Sequence, residues 1–438
     1  MKNQFFLFVL GLLTLTTYSQ DNNTKKIDSL ISYLEKNNQG IGTIAIAKGG
    51  KTIYSKQFGQ KKLKPEDQTP ENYHIGSVTK MLTATMIYQL VDAKKLQLDE
   101  KIAPYFPEVP NAKNISIIDL LSHKSGLKDY VFKNDSLMYW LTEPVAEAAI
   151  FSEIKRQGVA FQPGDSVRYS NTGYFLLTKI LEKKYRKNYK AILEQQIIKP
   201  LNLQYTRSIA VGDSDKGVAK SFRYGMAWEE IKEFYFPNVV GVGDVVSTPE
   251  DMNTFMQALY SNKLISAKSL AIMQPVAKNR FGSGQMQLPF MERIFYGHGG
   301  DTYGSHTIVA YNPKDQLGVT LILNGQEMTS SQYLIAVLNV LYDQPYTYPS
   351  FNTTYIPDPG SFTTLEGIYS GTGMPLKIKI ARSGIKLTAQ ASGQTAFELQ
   401  ATGPNKFSKA SIQLEMEFHA DQSMTFKQAG REFLLHRE

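Results

Sequence analysis

Ser77, Val78, Thr79 and Lys80 form an S-x-x-K arrangement. On a helix, residues three apart share a face, so this hydroxyl and this ammonium can meet. A serine hydroxyl attacks poorly until a neighbour takes its proton, and a lysine stripped of water is acidic enough to give up its own and do so. Ser77 would stand at the start of its helix. Its backbone N–H is then one of the donors without a partner inside the helix, available to a developing oxyanion. Alone the pattern carries little weight, because an N-cap serine beside a solvated lysine reads the same way.

Two further sets of residues change that. Tyr169-Ser170-Asn171 follows the loop Pro163-Gly164-Asp165 and precedes an apolar helical run from Tyr174 to Leu181. A phenol there can share proton shuttling with Lys80, and the amide can hydrogen-bond a substrate carbonyl. His298-Gly299-Gly300 lies on a strand approaching a hairpin at Ser305. Paired glycines let a substrate backbone lie against a strand edge, and the peptide N–H of Asp301 becomes a second oxyanion donor.

The elements that must hold these groups can be read from periodicity. Ile27, Leu30, Ile31 and Leu34 fall on one helical face. Ile41 to Lys48 and Lys51 to Phe58 read as a hairpin about Gly49-Gly50, and Ser77 to Lys94 as a helix with Val78, Leu82, Met86 and Leu90 buried. From there to about residue 270 the pattern is mainly helical. A second hairpin, Ser305 to Asn312 with Leu317 to Asn324, precedes a closing helix over Ser331 to Tyr342. The fold class expected is α/β of the α+β type. One antiparallel sheet joins both hairpins, helices flank it and a mainly helical insertion separates them. Residues 344–360, rich in Pro, Tyr, Thr and Ser, read as a linker between a domain over 20–343 and a small all-β domain, barrel or meander, over 361–438. In that last part alternation is clear at Leu376 to Ile380, Gly384 to Ala389, Ile412 to Phe418 and Phe433 to Leu435.

Composition narrows the chemistry. The chain has no cysteine, which excludes disulfides, a thiol nucleophile, thiolate metal sites and a lipid on an N-terminal cysteine. Its 6 histidines show no H-x-x-x-H spacing, so neither zinc nor another metal or cofactor is expected. The formal charge of +8 is spread, with lysines rarely clustered beyond pairs such as Lys183-Lys184. That argues against a nucleic-acid groove and leaves at most a mild attraction to anionic wall polymers or lipid headgroups. Residues 1–19 read as a signal peptide: Lys2, an apolar run from Phe5 to Leu15, and small residues at Thr17 and Ser19 before the cut. The mature chain is then periplasmic or secreted, bacterial, and without a transmembrane segment.

The three motifs, in this order and setting, resemble the penicillin-recognising serine hydrolase superfamily, in its branch of class C β-lactamases, D-Ala-D-Ala carboxypeptidases, D-aminopeptidases and related esterases. Leu96 to Pro107, Leu120 to Leu127 and Gly243 to Phe255 are similar to that family as well, and the likeness spans residues 27–342. It implies that Ser77 is the acylated nucleophile, that Lys80 and Tyr169 act together as the base, and that Asn171 and His298 face the substrate. The substrate implied is a small peptide, amide or ester, peptidoglycan peptides among them.

Some residues depart from the family pattern. His298 stands where β-lactamases carry lysine, which points to esterase and peptidase members and away from strong β-lactam turnover. Lys124 replaces a small hydroxyl residue in a structural loop. Asp301 brings a carboxylate to the mouth of the site, as a turn cap or a receiver of a substrate amine. His123 reads as a structural histidine, His306 as a strand residue, and Gly282-Ser283-Gly284 as a flexible loop rather than a phosphate cradle. Two alternatives remain at this stage. One is a catalytically silent protein that recognises cell-wall peptides; the other gives the C-terminal module a binding role of its own.

Overall fold

The computed structural model describes residues 23–133, 136–214, 216–225, 227–275, 281–349, 359–383, 386–392, 396–409, 412–428 and 430–438. The signal peptide expected over residues 1–19 lies outside them. Two compact units divide the chain, Met1–Tyr346 and Thr347–Glu438.

In the first unit, Ile27, Leu30, Ile31 and Leu34 are wholly buried and define the inner face of helix α1, residues 23–36. Strand β1 (Gly40–Lys48) is buried along nearly its whole length, and β2 (Lys51–Phe58) returns from the Gly49-Gly50 turn more exposed. Helix α2 (Thr79–Asp92) is buried almost all round, while α3 (Asn171–Tyr185) and α4 (Pro249–Tyr260) each bury one broad face. Four more strands follow: β3 (Met286–Phe290), β4 (Arg293–Asp301), β5 (His306–Asn312) and β6 (Leu317–Gln326). They join the first hairpin in one six-stranded antiparallel sheet of order β3-β4-β5-β6-β1-β2. The seam between the two hairpins is β1 against β6, with Thr43 opposite Ile322 and Ile46 opposite Val319.

Alternation along β6 divides its partners between the two faces of the sheet. Thr320 donates to Asn253 of α4 at 2.9 Å, and Asn253 in turn donates to the Ala45 carbonyl at 3.0 Å. Ile322, Val309 and Tyr311 point the same way, into the large core shared with α2, α3 and α4. The opposite face meets helix α5 (Ser330–Leu341), whose Tyr333 packs against Gly40 and stacks on Phe58.

The insertion is less helical than its periodicity suggested. Pro104, Pro107 and Pro110 with Asn111 and Asn114 break residues 94–116 into turns. Short strands at Tyr73–His74, Arg207–Ser208 and Val245–Ser247 form a small sheet of their own. That small sheet matters, because its first strand leads straight into Ser77.

The second unit is a closed eight-stranded barrel in chain order. Its strands are Gly367–Gly371, Met374–Ser383, Lys386–Ala391, Phe397–Gly403, Lys406–Lys409, Leu414–Phe418, Ser423–Gln428 and Arg431–Arg437. Pairing of Tyr369 with Arg437 and Ser370 with His436 closes it, which leaves no free sheet edge. Inward-facing Tyr369, Leu387, Phe407, Met424 and Leu435 fill the interior.

Candidate active site

Tyr73 and His74 pair with Ser247 and Val246, and the Ile75 N–H donates to Val245 O at 3.1 Å. The chain then turns at Gly76, whose φ of 50° a side chain would resist, into a 3-10 turn over Gly76–Val78 that feeds α2. Ser77 therefore stands in a tight first turn ahead of the α-helix, slightly different from the helical N-terminus expected, and is half-buried.

Strand β4 passes hard against this turn. A Cβ on Gly300 would fall 1.9 Å from Ile75 O and 3.1 Å from Ser77 N; one on Gly76 would fall 2.9 Å from Asp301 N. Only glycine at both positions allows that approach, which brings Ser77 N up against Gly300 and Asp301 N up against Gly76. Backbone N–H groups from two such segments are the kind of donors an oxyanion requires. The next turn is tied down on two sides. Ser305 Oγ donates to His74 O at 2.5 Å. The Glu233 carboxylate accepts from Thr302 Oγ1 at 2.5 Å, Gly304 N at 2.8 Å and Tyr303 N at 3.1 Å.

Lys80 lies one turn along the helix and is fully buried. Its Nζ is 2.9 Å from Ser77 Oγ and donates to Val242 O at 2.9 Å. Burial lowers its pKa from 10.5 to about 7, opposed by attraction to Asp129. The Val242 carbonyl is aimed by buried Asp244, which accepts from Gly241 N at 2.6 Å and from Ser208 Oγ, while Gly241 O accepts from Thr83 Oγ1 at 2.7 Å. Burial drives the Asp244 carboxyl up from 3.8 to about 7.

Tyr169 completes the group. Its hydroxyl hydrogen-bonds Ser77 Oγ at 2.8 Å, and its ring lies 5.1 Å from Lys80 Nζ. Burial of that hydroxyl pushes its pKa well above the usual phenol value, so no standing phenolate is held there. The ring rests on His123 at 4.5 Å, and His123 Nδ1 accepts the Ser170 N–H at 3.2 Å. That bond leaves His123 neutral, as do burial and the nearby Lys80, which push its pKa down to about 3.

Ser77, Lys80 and Tyr169 are thus brought together as their spacing suggested. His298 is 6.3 Å from Tyr169, ring to ring, and buried. Its Nδ1 donates to Gly299 O, its Nε2 is buried without a partner, and burial beside Lys80 pushes its pKa down to about 4. Asn171 opens α3 with its Nδ2 turned to Asp129 at 2.9 Å. His306 begins β5 and bonds the exposed Asp301 carboxylate at 2.7 Å. Gly282 to Gly284, expected to be flexible, is instead packed: Ser283 is buried and accepts from Tyr88 Oη at 2.9 Å.

Asp129, Val242 and Asp244 belong to the site and were not singled out in the sequence. Asp129 sits two residues beyond the Leu120 to Leu127 stretch, Val242 lies just ahead of the Gly243 to Phe255 stretch and Asp244 lies inside it, so nearness to these family-like stretches was the available signal. Among the described residues, no three or more His, Asp or Glu side chains gather as a metal site, and no helix is long and apolar enough to cross a membrane.

This fold, with a serine, lysine and tyrosine meeting beneath a glycine-lined strand, is that of a penicillin-recognising serine hydrolase. The family model described as Beta-lactamase matches residues 27–341, and the chain belongs to that family. It is similar to penicillin-binding protein 4* of Bacillus subtilis, 25% identical over 96% of this chain and 98% of that one. Teichoic acid D-alanine hydrolase of Staphylococcus aureus is 28% identical, over 70% of this chain and 75% of its own. Among solved structures, D-amino acid amidase from Ochrobactrum anthropi SV3 in complex with D-phenylalanine superposes with a TM-score of 0.63. It is 22% identical and covers 74% of this chain and 99% of its own, a likeness of fold. Two of these three relatives are hydrolases by name.

Proposed function

We propose that this protein is an exported serine hydrolase that cleaves small amide, peptide or ester substrates through an acyl-enzyme on Ser77. The observation that carries the reading is the contact of Ser77 Oγ with both Lys80 Nζ at 2.9 Å and Tyr169 Oη at 2.8 Å. A lysine whose pKa has fallen to about 7 is half neutral near neutral pH, and its lone pair can take the serine proton. The serine oxygen then bonds the substrate carbonyl carbon, and the carbonyl oxygen takes the negative charge between the N–H groups of Ser77 and Asp301. As the tetrahedral adduct collapses, the bond to the leaving group breaks. The proton reaches the departing nitrogen or oxygen through Tyr169, which is a relay because its own pKa lies too high for a resting base. Water repeats the sequence in reverse and frees the acid.

What lines the site and the relatives' names support a reading of the substrate class. His298 is neutral, so a substrate carboxylate meets no cation there, which argues against efficient β-lactam turnover. Acyl groups of D-amino acids, in amide or ester linkage, are the substrates we favour, with wall peptides and D-alanylated polymers as sources. Export rests on residues 1–19.

The test is mass spectrometry of the intact protein after a fluorophosphonate, followed by peptide mapping. One adduct on the Ser77 peptide, absent in Ser77→Ala, is the expected result. A fluorophosphonate-silent protein, or an adduct on another serine, would overturn the proposal and leave a binding protein in its place.

A further inference from the structure

Glu233 takes no part in the proton path, yet four donors converge on its carboxylate. Its Oε1 accepts from Thr302 Oγ1 at 2.5 Å and Gly304 N at 2.8 Å, and its Oε2 accepts from Tyr303 N and Phe234 N, each at 3.1 Å. A carboxylate has acceptor positions for all four and no hydrogen to repel them, whereas an amide has one acceptor oxygen. Three of the donors belong to the turn that follows Asp301. The segment carrying Glu233 is delivered by a hairpin, Ser221–Tyr224 paired with Trp228–Ile231. That hairpin packs hard on the turn: a Cβ on Gly304 would fall 2.7 Å from Ile231 Cδ1 and 2.8 Å from Ser221 Cβ. Just beyond Glu233, Phe234 meets Tyr303 edge-on with ring centroids 4.5 Å apart, and Phe236 stacks on His74 at 3.7 Å. Residues 233–236 therefore touch both pieces of backbone that carry the proposed oxyanion donors, the turn after Asp301 and the strand that runs from His74 toward Ser77.

We infer that Glu233 is a positioning residue for the oxyanion site: by holding the turn after Asp301, it keeps the Asp301 N–H directed at the carbonyl oxygen of the substrate that Ser77 attacks. This rests on the serine hydrolase reading and deepens it. Asp301 is the last residue of β4 and pairs there with His306. Past it the turn closes on itself, Thr302 N donating to Ser305 O at 2.9 Å. Two ties then fasten the turn to the rest of the domain, the Glu233 carboxylate and the bond of Ser305 Oγ to His74 O. Without the carboxylate, three donors of the turn lose their acceptor and swing toward water, and the end of β4 moves with them. Such a shift weakens the transition state more than the bound substrate, because the negative charge on the carbonyl oxygen develops only there.

The probes are p-nitrophenyl acetate and its thiono analogue, in which sulfur replaces the carbonyl oxygen. They share leaving group and acyl chain. Sulfur is larger and accepts hydrogen bonds poorly, so the ratio of the two kcat/KM values reads the oxyanion donors and not the nucleophile or its base. In the native protein the oxygen ester should be favoured about 100-fold. Glu233→Ala should slow the oxygen ester about 30-fold and the thiono ester less than about threefold, which brings the ratio to about ten or below. Glu233→Gln keeps one acceptor oxygen and should fall between the two. Equal loss on both esters in Glu233→Ala, with circular dichroism unchanged, would make Glu233 a structural residue and overturn the inference. An undiminished rate on the oxygen ester would overturn it too, as would a native protein that cleaves both esters alike. If Glu233→Ala does not fold, Glu233→Gln decides: a lowered ratio supports the inference and a native ratio overturns it. If the native protein cleaves neither ester and takes no fluorophosphonate adduct, it is the hydrolase reading that has failed, and this inference falls with it.

Discussion

Replacing Lys80 by methionine should abolish turnover and, near neutral pH, make the protein more stable. Lys80 is fully buried, and burial lowers its pKa from 10.5 to about 7. In the unfolded chain the amine holds its proton as in water. Folding at neutral pH must therefore strip that proton or bury the charge, and either route costs about 5 kcal/mol for a shift of this size. The sign is set by proton binding. Between about pH 7 and 10.5 the unfolded state holds one proton more than the folded state, so native stability climbs with pH at about 1.4 kcal/mol per unit. Below that window both states carry the charge, and the full penalty stays.

Methionine has similar length and no proton to lose. It gives up the bonds to Ser77 and Val242, each worth about 1.5 kcal/mol, so the variant should gain about 2 kcal/mol at pH 7. The gain should shrink with rising pH and change sign by about pH 9. The other titratable groups facing the amine are Asp129, Tyr169, Tyr174, His123 and His298. The two histidines are held down at about 3 and 4, and both phenols are pushed up by burial, so these four stay outside the window. Urea unfolding of both proteins from pH 6 to 9.5, followed by circular dichroism, reads the difference directly. A variant less stable than the native protein at pH 7, or a difference that ignores pH, would refute the account of Lys80 as a desolvated base.

Asp244 gives the opposite pH dependence. Its carboxyl is raised from 3.8 to about 7, so between those values the folded state keeps a proton that the unfolded state has released, and stability falls as pH rises. The buried histidines stabilise both proteins alike as pH rises, so Asp244 is read from the difference: between pH 5 and pH 7.5 the native protein should lose melting temperature relative to Asp244→Asn, and a difference that does not change with pH would count against it. Gly300→Ala places a Cβ 1.9 Å from Ile75 O and must push β4 off the nucleophile turn. A displacement of that order should lower kcat for p-nitrophenyl acetate about 100-fold, and an undiminished kcat would mean that Asp301 N–H has no part in catalysis.

What could be read from the sequence was what a residue type or a period announces. Both hairpins of the central sheet were visible because apolar runs met at glycine or proline turns, and their ends moved by a residue or two. Strand β3 was not visible: Met286–Phe290 contains Pro289 and lies at the sheet edge, where neither alternation nor continuous burial is imposed. In the barrel, strands with sustained alternation such as Lys386–Ala391 could be found, whereas short Lys406–Lys409 could not. Closure depends on Tyr369 meeting Arg437, a pairing between distant residues that no local pattern encodes.

The site divides along the same line. In the proposed mechanism Ser77, Lys80 and Tyr169 supply side-chain chemistry, and that chemistry restricts the residue type, so their motifs could find them. Val242 supplies a carbonyl that any residue could supply, and Asp244 acts by shaping the loop that aims it. Asp129 is the harder case: its residue type does matter, but only through Asn171. Its carboxylate accepts from both the backbone N–H and the Nδ2 of Asn171, a partner that the motif containing Asn171 does not name. The site is therefore held in place one layer behind the residues that the motif names. It becomes readable only when the donors and acceptors around each of them are accounted for in three dimensions.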